Sequence, residues 1–281
     1  MTAALVLALL AAPPAAVTNA QASTRSAAAG LGAAIEQVLS ASAPPQWIAW
    51  TVPIAAGQQM CCWDGSGGSG CCRGCRLEKG SGFSMQRDDD IRLEDDASGV
   101  IFVRGEKGRI TRVRMFSAAC PVDVGGRPLT WLTDVTPASS LAFLAGLIDR
   151  DEAGGEREVA EGALAAIAFH ADPAADRLMI RLARQHPRSH VRGQALFWLS
   201  QRAGERAAAS ITRAIEDDPD EDVKEKAVFA LSQLPKDEGV PRLIEVARTN
   251  QNREVRKKAM FWLGQSNDPR ALDFIEGVLT K

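Results

Sequence analysis

The stretches VRGQALFWL (residues 191–199), VKEKAVFAL (223–231) and VRKKAMFWL (255–263) repeat one pattern, and each begins 32 residues after the one before. A weaker copy, VAEGALAAI, precedes them at residues 159–167. In every copy the first, fifth and ninth positions are apolar, and this spacing places the three side chains on one face of an α-helix. The pattern therefore predicts four amphipathic helices that recur with a period of 32 residues.

A second apolar column follows each of these helices with the same period. It consists of Met179, Ile211, Leu243 and Ile275. A two-helix unit of this length cannot bury its apolar face alone, so successive units are expected to stack on one another. Residues 137–149, PASSLAFLAGLID, look like the second helix of a preceding half-repeat that caps the stack. We therefore predict an α-solenoid over residues 137–281, made of a half-repeat (137–150) and four 32-residue repeats.

The pattern V-[R/K]-x-x-A-x-x-x-L resembles that of HEAT-repeat proteins, in particular the short bacterial repeats related to those of phycobilisome lyases. The resemblance covers residues 137–281, about half of the chain. It implies an antiparallel stack of helix pairs whose usual role is to bind other macromolecules. We expect the same role here, an adaptor or scaffold for a protein partner. A fold does not transfer a reaction, and the alternative is a lyase-like or oxidoreductase-like enzyme of the wider repeat family.

Two further columns run along the repeats. Arg192, Lys224 and Arg256 follow the valines directly, and we interpret them as a ladder that joins successive helix pairs through acidic or carbonyl partners; an anion-binding stripe is the alternative. Phenylalanines recur at a position that points off the valine–alanine face, toward a flank where neighbouring repeats meet. The candidate partner-binding residues are Phe197, Phe229, Phe261, Arg181 and Arg213.

The sequence shows no catalytic constellation. It contains no nucleophile elbow, no phosphate-binding loop and no triad-like grouping. A metal needs three or four convergent ligands, and His170, His186 and His190 offer no such set. We interpret these histidines as surface or turn residues. We therefore predict no metal and no cofactor, and a binding protein rather than an enzyme.

Residues 46–136 change to a period of two, which is typical of β-strands. The segment QWIAWTVPI, which begins at residue 46, predicts one strand. GVIFVRGEKGRITRVRMFS (99–117) predicts a hairpin with its turn at Gly105–Gly108, and VGGRPLTWL (124–132) predicts a further turn and strand. This region is therefore interpreted as a small β-rich domain.

A short helix is predicted before the β-rich domain, within a helix-and-linker segment at residues 23–45. Leu31, Ile35 and Leu39 lie four residues apart and form its apolar face. The predicted fold class is therefore α+β, with a small β-rich N-terminal domain followed by a C-terminal α-solenoid of HEAT-type helix pairs.

The cysteines cluster in the β-rich domain with the spacing CC-x8-CC-x2-C and one later residue. All six are disulfide candidates: Cys61, Cys62, Cys71, Cys72, Cys75 and Cys120. In an exported protein an even number of cysteines predicts disulfides, although six cysteines allow fifteen pairings and the sequence does not choose among them. The alternatives are a zinc site, or a thiol-active centre that uses Cys72 and Cys75.

The first residues resemble a secretory signal. Residues 3–12 form an apolar run that is too short to span a membrane, and small residues follow at the spacing that a signal peptidase reads. Cleavage after Ala20 or Ala22 fits, which gives a signal peptide over residues 1–22. We therefore expect a periplasmic or secreted protein that is not inserted in a membrane after cleavage. The formal net charge of −2 argues against nucleic acid as a ligand, so the expected ligand is a protein.

Overall fold

The structure is a computed structural model that describes residues 16–41, 44–55, 75–78, 97–150, 157–202 and 205–280. The strands of the described residues are β1 (Val17–Thr18), β2 (Gln21–Ser26), β3 (Gln46–Pro53), β4 (Cys75–Arg76), β5 (Ser98–Glu106), β6 (Arg109–Ser117), β7 (Val122–Asp123) and β8 (Pro128–Thr133). The helices are α1 (Leu31–Ala41), α2 (Pro137–Ile148), α3 (Arg157–Phe169), α4 (Pro173–Gln185), α5 (Ser189–Arg202), α6 (Glu205–Asp217), α7 (Glu221–Ser232), α8 (Lys236–Thr249), α9 (Arg253–Gln265) and α10 (Pro269–Leu279). A region of strands followed by consecutive helices confirms the α+β fold class.

The chain divides into two compact units, residues 1–172 and residues 173–281. The first unit holds all the described strands together with α1, α2 and α3. The second unit holds α4 to α10. The division comes after the first helix of the 32-residue pattern and not at residue 137, where the periodicity of the sequence changes.

A five-stranded sheet with the order β2-β8-β3-β5-β6 forms the centre of the first unit. β8 pairs in parallel with both β2 and β3, whereas β5 pairs antiparallel with β3 and β6. The predicted hairpin is confirmed as β5 and β6, but its loop is shorter than predicted. Only Lys107 and Gly108 lie between the strands, with φ angles of 52° and 74°. Positive φ at both central residues matches the right-handed twist of the two strands.

The strands β1 and β2 were not predicted from the sequence. β2 pairs with β8 over its whole length, from Gln21 opposite Pro128 to Ser26 opposite Thr133, and β1 pairs with β7 in a second, three-stranded sheet. Every residue of β2 is exposed. A strand with two exposed faces has no alternation of apolar and polar residues, so the pattern on which the other strands were recognised is missing here.

The central sheet buries apolar side chains on both faces. One face carries a cluster that includes Trp47, Ala49, Leu77, Phe102, Phe116, Cys120, Leu129 and Trp131, each at most 1% exposed. Trp50, on the opposite face of β3, packs edge-on against Phe143 of α2. The predicted apolar face of α1 is confirmed, because Leu31, Ile35 and Leu39 are all buried.

Helix α3 packs tightly on the edge strand β6. A Cβ atom added to Gly162 of α3 would lie 2.3 Å from the carbonyl oxygen of Val113 in β6. Arg112 of β6 also forms an ion pair with Glu158 at the start of α3, with 3.4 Å between Nη2 and Oε2. The helix therefore covers a strand that would otherwise be an open edge for pairing with other chains.

A buried hydrogen-bond chain joins β3, α2 and the end of α3. Trp50 Nε1 donates to Ser140 Oγ over 2.9 Å, and Ser140 Oγ lies 3.0 Å from His170 Nε2. His170 Nδ1 lies 2.8 Å from the carbonyl oxygen of Ala166, which can only accept. In the neutral ring the proton is therefore on Nδ1, and Nε2 accepts the Ser140 hydroxyl proton. Ser140 and His170 are both fully buried.

The histidines were interpreted as surface or turn residues, and two of them, His170 and His186, lie in the connections between helices but are buried. His170 is 0% exposed and His186 is 7% exposed. His170 is buried because Ser140 and Ala166 provide partners for both ring nitrogens, and a buried polar group with its hydrogen bonds made carries little penalty. Ser140 lies 30 residues away along the chain, so no local pattern reveals the pair.

Replacing Ser140 by alanine should lower the free energy of unfolding of the first unit by about 1–3 kcal/mol, because it removes the partner of both the Trp50 indole and His170 Nε2 in a dry environment. Chemical denaturation followed by tryptophan fluorescence measures the change. Ser23→Ala on the exposed strand β2 is the matched control and should change stability by less than about 0.5 kcal/mol. Equal effects of the two substitutions would contradict the structural role of Ser140.

Replacing Gly162 by alanine should destabilise the first unit by about 1–3 kcal/mol, because α3 and β6 must move apart to admit the methyl group. Gly146 of α2 is the control, since a Cβ atom there would meet nothing within 4 Å. Gly146→Ala should be neutral or stabilising by up to about 1 kcal/mol, as expected inside a helix. Thermal unfolding of both variants tests the pair, and a stabilising Gly162→Ala would contradict the close packing.

Candidate partner-binding face

The apolar residues of the repeat pattern lie in the interior of the second unit, as predicted. The valines, alanines and leucines of the repeat pattern are each at most 1% exposed: Val191, Ala195, Leu199, Val223, Ala227, Leu231, Val255, Ala259 and Leu263. The helices α5, α7 and α9, which carry this pattern, pack side by side. α8 packs more extensively against α9 than against α7, and α6 more extensively against α7 than against α5. Each second helix is thus closed chiefly by the first helix of the next repeat.

The predicted cation ladder is present at Arg192. Its guanidinium makes two parallel hydrogen bonds to Asp218, which directly follows α6, with Nε donating to Oδ2 at 2.8 Å and Nη2 to Oδ1 at 2.9 Å. Its Nη1 donates to the carbonyl oxygens of His186 and Pro187 at the end of α4. The hydrogen bond that Arg192 donates to Asp218 raises the pKa of Arg192, against the opposing effect of burial. One side chain therefore joins three consecutive helix ends.

Arg256 and Lys224, the other two cations of the ladder, make different contacts from Arg192. Arg256 Nη1 donates to the carbonyl oxygens of Asn250 and Gln251 over 2.7 and 2.9 Å, which repeats the carbonyl half of the Arg192 contact. Lys224 forms an ion pair with Glu221 one turn earlier in its own helix, at 3.5 Å. The prediction of acidic or carbonyl partners is therefore confirmed for the two arginines. The Lys224 contact does not cross between helices.

Replacing Arg192 by methionine should destabilise the second unit by about 3–5 kcal/mol, because it leaves the Asp218 carboxylate buried without its counter-charge. Lys224→Met is the matched control at the same repeat position. It should cost less than about 1 kcal/mol, since Glu221 is well exposed and the pair is screened by water. Urea unfolding followed by circular dichroism measures both, and similar costs would argue against the bridging role of Arg192.

The phenylalanine row, defined as Phe197, Phe229 and Phe261, lies on the outer side of α5, α7 and α9. The Phe197 and Phe229 rings stack with 6.2 Å between centroids and 1° between planes. Phe229 packs on Trp262 at 4.9 Å, and Trp262 packs on Phe261 at 5.0 Å. Phe197 and Phe229 are half-buried, whereas Phe261 is 55% exposed. The rings therefore form one connected aromatic strip that crosses three helices.

Polar side chains flank the row at the same repeat positions. One helical turn after each phenylalanine comes a glutamine: Gln201, Gln233 and Gln265. The hydroxyl groups of Ser200 and Ser232 donate to the carbonyl oxygens of Phe197 and Phe229, over 2.6 and 2.7 Å. Gln233 Nε2 in turn donates to Ser232 Oγ over 3.1 Å. The row thus combines apolar rings with amide groups, which suits contact with both side chains and backbone of a polypeptide.

In α3, the first copy of the pattern, the side that corresponds to the phenylalanine row packs near strand β6. Ala165 of α3 stands at the repeat position of the phenylalanines, and Gly162, which packs on Val113 of β6, lies about one helical turn before it. Small residues permit this close contact with a strand. In α5, α7 and α9 the equivalent positions carry larger side chains that are partly or fully open to solvent.

The two arginines predicted to bind a partner do not lie beside the phenylalanine row. Arg181 is exposed on α4 and Arg213 is exposed on α6. These second helices form a different row from α5, α7 and α9. The structure therefore brings the three phenylalanines together but separates them from the two arginines.

The cysteine candidates lie mostly outside the described residues. Cys61, Cys62, Cys71, Cys72 and the side chain of Cys75 are not described, whereas Cys120 is buried in the first unit. Residues 75–78 show how the cysteine-rich segment joins the sheet. Cys75 and Arg76 pair with β7, and Leu77 is buried in the core.

The side chain of Glu78, at the end of this short segment, is hydrogen-bonded to the central sheet. Its Oε1 accepts hydrogen bonds from Trp47 Nε1 at 3.0 Å and from Arg104 Nε at 3.1 Å. Burial alone would raise the pKa of Glu78, but these two hydrogen bonds and the charges of Arg104 and Arg127 outweigh it and lower the pKa. The carboxylate is therefore held in its charged form against the sheet.

Within the described ranges, no group of three or more histidine, cysteine, aspartate or glutamate side chains is placed to hold a metal ion. None of the helices in the described part of the chain is both long and apolar enough to cross a membrane.

Comparison with known proteins identifies the helical region. A family model of HEAT repeats matches residues 144–232 and 211–281. These helices are HEAT repeats. The match begins within α2 and extends over α3 to α10, so the matched residues include helices of both compact units. A comparison with curated proteins gave no match.

Proposed function

We propose that the protein is a scaffold that binds a partner protein through the phenylalanine row of its HEAT repeats. The supporting observation is the connected strip of rings on α5, α7 and α9, which ends in a phenylalanine that is 55% exposed. HEAT arrays serve as interaction modules because stacked repeats present one long surface. Exposed aromatic side chains are also the groups that contribute most to protein interfaces.

The proposed ligand is an extended segment of the partner. The side of α3 that corresponds to the row packs near strand β6, so this array already contacts an extended backbone at that position. The glutamines beside the row carry amide donors and acceptors that suit the backbone of an extended segment, and the rings suit its apolar side chains.

We further propose that the protein acts in the periplasm or after secretion, with its cysteines joined as disulfides. This part rests on the apolar run at residues 3–12 and the even number of cysteines. The likeness of the repeats to the short bacterial type found in phycobilisome lyases is part of the same proposal. A lyase-like or oxidoreductase-like activity is the alternative, but no cluster of catalytic groups in the described residues favours it.

Site-specific photo-crosslinking in cells tests the proposal. Benzoylphenylalanine in place of Phe261 should crosslink to a discrete partner, because this side chain is exposed at the end of the row. A second substitution, Phe229→Ser, should reduce the yield at least about fivefold by interrupting the row. Circular dichroism and thermal unfolding of the double variant show whether the array remains folded.

The control places benzoylphenylalanine at Glu216, which is exposed on α6. It should give no crosslink to the same partner. Equal yields from both positions, or no dependence on Phe229, would contradict binding at the row. Recovery of the crosslinked species in the cytoplasmic fraction would contradict export alone.

A further inference from the structure

Cys120 lies in the core of the first unit and forms a disulfide. It is 1% exposed and belongs to the apolar cluster on one face of the central sheet. Its backbone N–H donates to the carbonyl oxygen of Ser117 over 3.0 Å, so Cys120 ends the turn that follows β6. Its disulfide partner is one of the five other cysteines of the chain: Cys61, Cys62, Cys71, Cys72 and Cys75. The identity of this partner decides how the cysteine-rich segment is attached to the fold.

The pairing of β4 with β7 brings Cys75 close to the segment that holds Cys120. Cys75 lies opposite Val122 in this parallel pair, and Val122 follows Cys120 by two residues. Adjacent strands lie about 5 Å apart, which is within the range of Cα separations that a disulfide bridges. Of the five candidate partners, Cys75 is the one whose backbone lies within the described ranges. The register therefore points to one cysteine.

By its position in β4, Cys75 belongs to the side of the strand that meets the apolar cluster. Alternate residues of a strand share a face, and Leu77, two residues after Cys75, is 1% exposed within the cluster. Arg76 between them is exposed. Val122, opposite Cys75, and Cys120 are members of the same cluster. The strand position of Cys75 and the buried Cys120 therefore lie on one side of the sheet that β4 and β7 form.

We propose that Cys75 and Cys120 form a disulfide with each other, which fastens β4 to the core of the first unit. Oxidation breaks the two S–H bonds and forms one S–S bond. The two protons and two electrons pass to an oxidant such as the disulfide of glutathione, which is reduced to two thiols. This proposal rests on the disulfides of the proposed function and names one pairing among them.

The disulfide supplements the few contacts that hold residues 75–78. β4 has only two residues. Leu77 is buried in the apolar cluster, and Glu78 accepts hydrogen bonds from Trp47 and Arg104. In the chain-entropy view, a disulfide stabilises most when it closes a long loop, and this one encloses residues 76–119. The covalent bond therefore fixes the beginning of the segment, and Glu78 fixes its end.

The pairing also decides between the interpretations of the cysteines. It gives Cys75 a structural role and removes it from the C-x2-C spacing that it shares with Cys72. These two residues then form neither half of a zinc site nor a thiol-active pair. A reactive cysteine needs a sulfur that solvent can reach, whereas Cys120 is buried. The Cys75–Cys120 disulfide is therefore a permanent part of the fold rather than a centre for thiol exchange.

Digestion with trypsin separates the cysteines in a way that tests the pairing directly. Cleavage after arginine places Cys75 in residues 74–76, Cys120 in residues 115–150, and the other four cysteines together in residues 26–73. The full chain is refolded in a glutathione redox buffer, its free thiols are alkylated, and it is digested without reduction. Mass spectrometry should find residues 74–76 linked to residues 115–150, and reduction should release both peptides.

Substitution tests the pair by a second readout. Cys75→Ala and Cys120→Ala should each lower the midpoint of thermal unfolding by at least about 5 °C, because either substitution removes the same disulfide. The double variant should unfold close to the less stable single variant, since no further bond is lost. The matched control is Cys71→Ala, which should leave the link between residues 74–76 and residues 115–150 in place.

A link between residues 115–150 and residues 26–73 would overturn the proposal, as would a Cys120 thiol that stays free after oxidation. Losses of stability that add up in the double variant would also contradict a shared bond. The refolded chain forms its disulfides without export, so this result is separate from the crosslinking experiment. Recovery of the protein in the cytoplasm would contradict export but not the pairing, and a different pairing would leave binding at the phenylalanine row unaffected.

Discussion

The helical half of the protein depends on the burial of one set of apolar side chains, the valines, alanines and leucines of the repeat pattern. A single pair of helices leaves half of this set in water, and only the next pair covers it. The array is therefore stable through contacts between neighbouring repeats rather than through any one repeat. The polar contacts follow the same rule, because Arg192 binds the helix end before it and the aspartate after it.

The repeats also show how one helix face can be adapted to different neighbours. In α3 the face carries Gly162 and Ala165, which let the helix approach the backbone of β6 closely. In α5, α7 and α9 the same positions carry phenylalanine and larger polar residues, and the face remains partly open. The valine, alanine and leucine positions on the buried side hardly change between copies, since each helix packs on a neighbour with the same apolar pattern. The residues of the outer side, and with them the surface that a partner meets, can therefore change without destabilising the helix stack.

The sequence predicted those features that depend on a periodic or local pattern. The helices of the array, the apolar face of α1 and the β5–β6 hairpin follow from spacing and from turn residues, and the structure confirms them. Features that depend on distant partners were missed. His170 is buried because of Ser140, and nothing near the histidine indicates it. β2 escaped notice because all six of its residues are exposed and it is joined to the sheet by backbone pairing with β8, which leaves no apolar pattern in its sequence. The columns predicted the three phenylalanines as a set, and their rings do lie together. Arg181 and Arg213 lie on α4 and α6 instead, and the role of all five residues in partner binding stays a prediction.

If the protein is exported as proposed, cleavage of the signal peptide also removes residues of the N-terminal strands. Cleavage after Ala20 would remove β1, and cleavage after Ala22 would also remove the first two residues of β2. The lost contacts are chiefly backbone hydrogen bonds and the partly buried Val17 and Ala20, since β2 contributes no buried side chain to the core. The large buried residues of the sheet, Trp47, Phe102 and Trp131, all come from strands further along the chain. Because the hydrophobic contribution to stability scales with buried apolar area, the sheet keeps nearly all of it after processing. Removal of a signal peptide is therefore compatible with this fold, and its main structural consequence is the loss of β1 beside β7, with β2 shortened as well if cleavage follows Ala22.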